Sequence, residues 1–348
     1  MMKKTIAMLL TALLVAALAI GCSAAPAASA PAAATEAPTE ATEAPAADAT
    51  EAPAAEPAKS FQIGIVQIVE HAALDAAREG FKQALTDAGI QATFDEQNAQ
   101  GDQSTLSTIG DRFISEKVDL ILAIATPSAQ SMASKTSEIP ILATAVTDFE
   151  VANLVDSNEL PGGNVSGTSD MNPIADQVAL LFELFPDVKT VGCIYNSGED
   201  NSILQAGMAK EEIEKLGKAY TEITVTSTND VQQAMQSLVG KCDAIYIPTD
   251  NTLASSMSIV SEVANAAGIP VICGESNMVE AGGLATLGIN YFDLGYQTGK
   301  MAIQILTEGA DVSKMPVEFA TGFDSAFNQE TADAIGFTIP EKYASAAK

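Results

Sequence analysis

From Ser60 onward the chain alternates short apolar runs with stretches whose apolar residues recur at helical spacing. FQIGIVQIV reads as a strand. In residues 72–88, Leu74, Ala77, Phe81, Ala84, Leu85 and Ala88 fall near one face of a helix, and Gly89 ends it. QATFDEQN predicts the next strand and residues 103–116 the next helix. VDLILAIA is apolar throughout, the pattern of a parallel strand covered on both faces. A helix over 129–136 and the strand IPILATAV complete the series. Repeated β-α-β units predict an α/β fold built on a doubly wound parallel sheet.

A second series of the same kind follows Pro161-Gly162-Gly163. Residues 171–185 predict a helix, TVGCIYN a strand, 202–216 a helix and YTEITVTS a strand. Then come a helix over 231–238, the strand CDAIYIPTD, a helix over 253–267 and the strand IPVICGE. LATLGINY, a helix over 295–306 and VEFATGF close the series. One sheet of this size would outgrow a single core. The pattern therefore predicts two doubly wound parallel-sheet lobes joined by hinge crossovers, expected near 162–172, 288–294 and 316–324. The N-terminal lobe is expected to take residues 60–168 and 290–318, and the C-terminal lobe 169–289 and 319–348.

Residues before Ser60 follow neither period. Met1 to Lys4 make a short basic start, and the apolar run Thr5 to Ile20 leads to Gly21-Cys22, the layout of a secretory signal. The run is short for a membrane-spanning helix. Leu18-Ala19-Ile20-Gly21-Cys22 resembles a bacterial lipoprotein box, with Ala19 where Leu is usual, so Cys22 is the expected lipidation site of a 1–22 signal peptide. Residues 23–59, almost all Ala, Pro, Thr and Glu, have no large apolar side chain to bury and are expected to form an extended acidic tether.

Charge narrows the partners. A formal net charge of -28 over 348 residues excludes a nucleic-acid partner, which needs a basic face, and an anionic bilayer surface for the folded part. Cys193, Cys242 and Cys273 sit in apolar runs and read as buried thiols in preference to a disulfide with one thiol left over. His71 is the single histidine and no CxxC occurs, so no metal is expected. GxSxG, GxGxxG and GKS motifs are absent too, which leaves an enzyme or a cofactor without support.

Ligands of open α/β sheets bind beyond the carboxyl ends of the strands. There the sequence places Gln67, Glu70 and His71; Thr126, Ser128 and Ala129; Thr147 and Asp148; Asn196, Glu199, Asn201 and Ser202; and Asp250 and Asn251, followed by the turn Gly274-Glu275. Thr126-Pro127-Ser128, Asn201-Ser202 and Asp250-Asn251 also suit helix starts, whose free N–H groups hold carboxylates. The only arginines, Arg78 and Arg112, fall inside predicted helices, so a bound anion would rest on backbone amides and hydroxyls. A ligand ammonium would meet Glu70, Asp148, Glu199 or Asp250. For Asp250, helix capping and ligand contact are both open.

VQIVEHAALDAAREGF, LAIATPSAQ, AVTDFE, YNSGEDNS and IPTDNT resemble the substrate-binding lipoproteins of bacterial ABC importers of the tryptophan/tyrosine type, which adopt the periplasmic-binding-protein type I fold. The resemblance runs from about Phe61 to Pro340 and includes the closing NQETADAIGFTIP. It implies a monomer, lipid-anchored to the outer face of the cell membrane, whose lobes close on one solute. That solute would be an aromatic amino acid, delivered to an ABC permease and its ATPase. Many relatives have Pro where this chain has Phe149, which either stacks on the solute or packs within its loop. Three other readings stay open: a sugar or other solute, a sensor presenting its ligand to a membrane receptor, and an enzyme using Glu70 and His71.

Overall fold

The longest apolar runs become central strands, buried along their whole length, while the more polar ones become edges. This is seen in a computed structural model that describes residues 60–348; the expected signal peptide, the lipidation of Cys22 and the 23–59 tether lie outside the described residues. The first lobe opens with β1 (Ser60–Gln67), α1 (Ala72–Asp87), β2 (Gln91–Asn98), α2 (Gln103–Glu116), β3 (Leu120–Ile124), α3 (Thr126–Lys135), β4 (Ile141–Val146) and β5 (Val165–Ser169). The second holds α4 (Ile174–Leu184), β6 (Thr190–Asn196), α5 (Asp200–Lys215), β7 (Ala219–Val225), α6 (Val231–Leu238), β8 (Ala244–Ile247), α7 (Asn251–Ala254), α8 (Met257–Ala267), β9 (Val271–Cys273), α9 (Ser276–Glu280) and β10 (Ala285–Gly288). The chain returns to the first lobe for α10 (Tyr291–Ile303) and β11 (Glu318–Phe319), then ends in the second with β12 (Asp324–Phe327) and α11 (Gln329–Ala334).

The first sheet runs β11-β5-β4-β3-β1-β2 and the second β12-β10-β9-β8-β6-β7. Every pairing is parallel except β10 with β12. That exception adds one antiparallel strand at the edge of the second sheet, and the two doubly wound parallel sheets stand as expected. After β11 the chain crosses at the carboxyl ends of the strands, so it enters the second sheet from the far end and must run backwards along β10. Two expected elements are also shorter or later. The strand read in VEFATGF is reduced to Glu318–Phe319. The helix read from residue 171 begins at Ile174, because Pro173 disfavours helical backbone at Asn172 and the preceding residues serve the crossing.

α1 and α10 pack against each other through glycines on both helices. A Cβ on Gly80 would meet the Phe292 carbonyl oxygen at 2.0 Å, and one on Gly295 would meet that of Ala77 at 1.9 Å. This contact brings Tyr291, at the start of α10, beside the loop after β1. Cys193, Cys242 and Cys273 are buried, unpaired thiols; burial holds the first two up at about 12 and about 11.

Candidate functional site

Strand order reverses between β1 and β3 in the first sheet and between β6 and β8 in the second. The loops leaving these two switch points meet. His71, the N-cap of α1, lies 3.3 Å through Nε2 from Asn251 Oδ1 at the start of α7. Beside this bridge a narrow cavity opens between the lobes. His71, Leu74, Ala145, Asp170 and Tyr291 form one wall; Asn201, Thr249, Asp250, Asn251, Ala254 and Glu275 form the other. A wider groove adjoins it, with Pro127 and Glu199 on its sides, and Asn251 borders both spaces.

Three carboxyl groups line the cavity and no lysine or arginine does. Asp170 accepts from Thr147 Oγ1 (3.0 Å) and from the Tyr291 hydroxyl (2.8 Å). Asp250 caps α7 through Leu253 N (2.8 Å) and accepts from Asn196 N (2.6 Å). Glu275 caps α9 through Asn277 N and Met278 N. Burial raises all three above the usual carboxylate range. Asp250 reaches about 7, helped by the nearby Glu199 charge, and Glu275 about 8, helped by Asp170. The same burial lowers His71 to about 4 and keeps it neutral.

Buried polar atoms normally find partners. Among the described residues, six buried side-chain atoms have none: Asn158 Oδ1, and Thr126 Oγ1, Ser128 Oγ, His71 Nδ1, Asn172 Oδ1 and Asn201 Oδ1, the last five in crossings or at helix starts that follow strand ends. Thr126 and Ser128 stand on the first turn of α3, whose N–H groups have no partner within the helix.

Not every strand-end residue faces the cavity. His71, Asn201, Asp250 and Asn251 line it. Gln67 does not: its amide is held by Val69 O, Asp75 and Arg78, which fixes the loop after β1. Thr147 is spent on Asp170 and on Gln205 of the opposite lobe, 2.9 Å away. Asn196 and Ser202 brace the second lobe's loops, and Glu199 clamps the start of α7 by accepting from Asn251 and Thr252. The Ala129 N–H is committed to Ala125 O.

Two expected ammonium partners are corrected. Glu70 is exposed, because neighbouring residues of extended backbone point opposite ways and His71 takes the inward direction. Asp148 is turned to Val151 N and closes its own loop. Phe149 is fully buried in the first lobe's core. Asp170, Glu275 and Tyr291 were not singled out from sequence as site residues; Glu275 stood at a strand end, whereas Asp170 and Tyr291 lie in crossings, where spacing gives no sign of direction.

Comparison with known proteins agrees with this architecture. A tyrosine-binding protein of Clostridioides difficile is 45% identical over 281 residues, 80% of this chain and 81% of the relative. An ABC domain from Streptococcus pneumonia in complex with L-Trp has 39% identity and a TM-score of 0.80. A ligand-free, open substrate-binding protein with adhesive properties from Clostridium difficile has 46% identity and a TM-score of 0.64. Each of the two solved structures matches over 83% of this chain and 99% of its own. The family described as ABC transporter substrate binding protein matches residues 62–348. With two α/β sheets facing one cleft and relatives that match along the whole folded body, the chain belongs to the substrate-binding proteins of ABC transporters.

Proposed function

We propose that the protein captures an aromatic amino acid by closing its lobes and delivers it to an ABC permease and its ATPase from the outer face of the cell membrane, held there by a lipid on Cys22 and the 23–59 tether. The hinge then lies in the three crossings, with 60–168 and 290–318 moving against 169–289 and 319–348. The observation that carries this reading is the narrow inter-lobe cavity, lined by three buried acids and by His71 and Asn201, each with a buried polar atom that lacks a partner. A zwitterion supplies what these atoms lack. Its carboxylate fits the first turn of α3, where Thr126 and Ser128 offer free hydroxyls and the helix a partial positive charge. Its ammonium fits Asp250 and the Asn201 amide oxygen, across the gap at the second lobe's switch point. The rest of the lining includes Leu74, Ala145, Ala254 and Tyr291, whose apolar surface suits an aromatic ring.

The relatives support the choice of solute: one is a tyrosine-binding protein and another was solved with L-Trp. The closer structural match to the L-Trp complex than to the open protein, despite lower sequence identity, supports reading this form as closed. Calorimetric titration of the full chain with the twenty amino acids is the direct test. The chain contains no tryptophan, so the fluorescence of bound L-Trp can be followed without background. Heat and binding are expected with an aromatic amino acid. Silence across all twenty, with a response to sugars or purines, would remove the amino-acid reading.

A further inference from the structure

We propose that His71 selects among aromatic amino acids by accepting a hydrogen bond from a donor carried on the ring, so that tyrosine and tryptophan are favoured and phenylalanine is rejected. This rests on the amino-acid reading of the same cavity and goes beyond it in naming the feature that is read.

The hydrogen-bond chain around His71 fixes which nitrogen carries the proton. Glu199 Oε2 accepts from the Asn251 backbone N–H and from Asn251 Nδ2, so the amide nitrogen is turned to Glu199. Asn251 therefore presents its carbonyl oxygen to His71, and the imidazole must donate through Nε2. In the neutral ring the other nitrogen, Nδ1, is then a lone-pair acceptor. That atom is buried and has no partner, on a residue that lines the cavity. The remaining ring-facing walls are apolar or already engaged: Asp170 by Thr147 and Tyr291, Glu275 by two backbone amides.

The charged ends of the guest do not compete for His71. A carboxylate offers no donor to a lone pair. An ammonium gains more from Asp250 than from a neutral nitrogen, because charge-assisted hydrogen bonds are the stronger ones. A neutral ring-borne N–H or O–H is the donor left over. Filling the cavity with phenylalanine would leave Nδ1 buried and unpaired, and a site with such unpaired groups discriminates strongly against the analogue that lacks the donor.

The test is calorimetry of the full chain with L-tyrosine, L-tryptophan, L-phenylalanine and O-methyl-L-tyrosine. The wild-type protein is expected to bind the better of tyrosine and tryptophan about 100-fold more tightly than phenylalanine or the O-methyl derivative. His71→Gln keeps an N–H for Asn251 but has no acceptor at the Nδ1 position, and the ratio should fall below about 5-fold. His71→Asn returns an acceptor near Nδ1 and should recover part of it. Equal affinity for tyrosine, tryptophan and phenylalanine in the wild-type protein would overturn the inference and leave the amino-acid reading standing. A ratio that survives in His71→Gln would do the same. Failure of every aromatic amino acid to bind would remove both.

Discussion

Burial at the cavity shifts Asp250, Glu275 and His71 each toward its neutral form, and under the proposed closure each would regain ordinary solvation when the lobes part. Closure is therefore linked to protons. The two acids have raised values when closed, about 7 and about 8, so protons favour the closed form and it is lost as pH rises through that range. His71 has a lowered value, about 4, so protons oppose closure between there and its ordinary 6.5. Between about pH 4.5 and 6.5 the two acids outweigh the one histidine, and above 6.5 only the acids act, so the empty protein should be most closed at the acid end and open progressively as pH rises to about 8. Solution scattering across pH 4–9 should give a radius of gyration that grows with pH, and Glu275→Gln should flatten the upper part of that rise. Between pH 6.5 and 8 the Glu275 contribution alone is about 2 kcal/mol. A radius independent of pH would show that these groups do not sense closure. Position at a strand end was enough to bring out His71, Asn201, Asp250 and Asn251 from sequence. It did not tell Glu70 from His71, since which of two adjacent extended residues turns inward depends on φ and ψ. Nor did it reach Asp170 and Tyr291, which meet through a fold in space between residues far apart in the chain.

At the level of elements, the first lobe depends on how closely α1 and α10 approach. Gly80 and Gly295 permit that approach, since each lies where a methyl group would strike backbone of the facing helix. Gly295→Ala should cost about 1–3 kcal/mol in denaturant unfolding, the usual penalty of overpacking. Gly207 gives the contrast. It lies on α5, exposed, with nothing near the position of its missing Cβ, so Gly207→Ala should stabilise by about 0.5–1 kcal/mol through helix propensity alone. Equal effects at the two sites would mean that the helix contact is looser than described. The strands themselves were legible because a parallel strand covered on both faces must be apolar throughout, as LILAI in β3 and ILATAV in β4 are. The antiparallel run of β12 was not, because strand direction follows from the end at which a crossing enters the sheet, and DSAF carries no trace of that.

For the whole molecule, the proposed closure makes affinity and residence time depend on what holds the lobes together besides the solute. Among the described residues, hydrogen bonds that bridge the gap include His71 with Asn251 at the cavity, Gln205 with Thr147 away from its walls, and Gln130 on α3, which donates to Asp200 on α5 at 2.8 Å, on the rim. The rim bond touches none of the cavity walls, so it separates closure from recognition. It is exposed, and bonds of that kind contribute about 1 kcal/mol or less. Removing it should leave the open form and the first encounter with the solute unchanged and shorten the time the closed form lasts. Gln130→Ala is expected to raise the dissociation rate of bound L-Trp about 2–5-fold in stopped-flow fluorescence, with the association rate altered far less. Asp200→Ala should do the same, and the double variant should dissociate no faster than the singles, because both remove one shared contact. Additive effects of the two substitutions, or a loss confined to the association rate, would show that the rim plays no part in keeping the lobes shut.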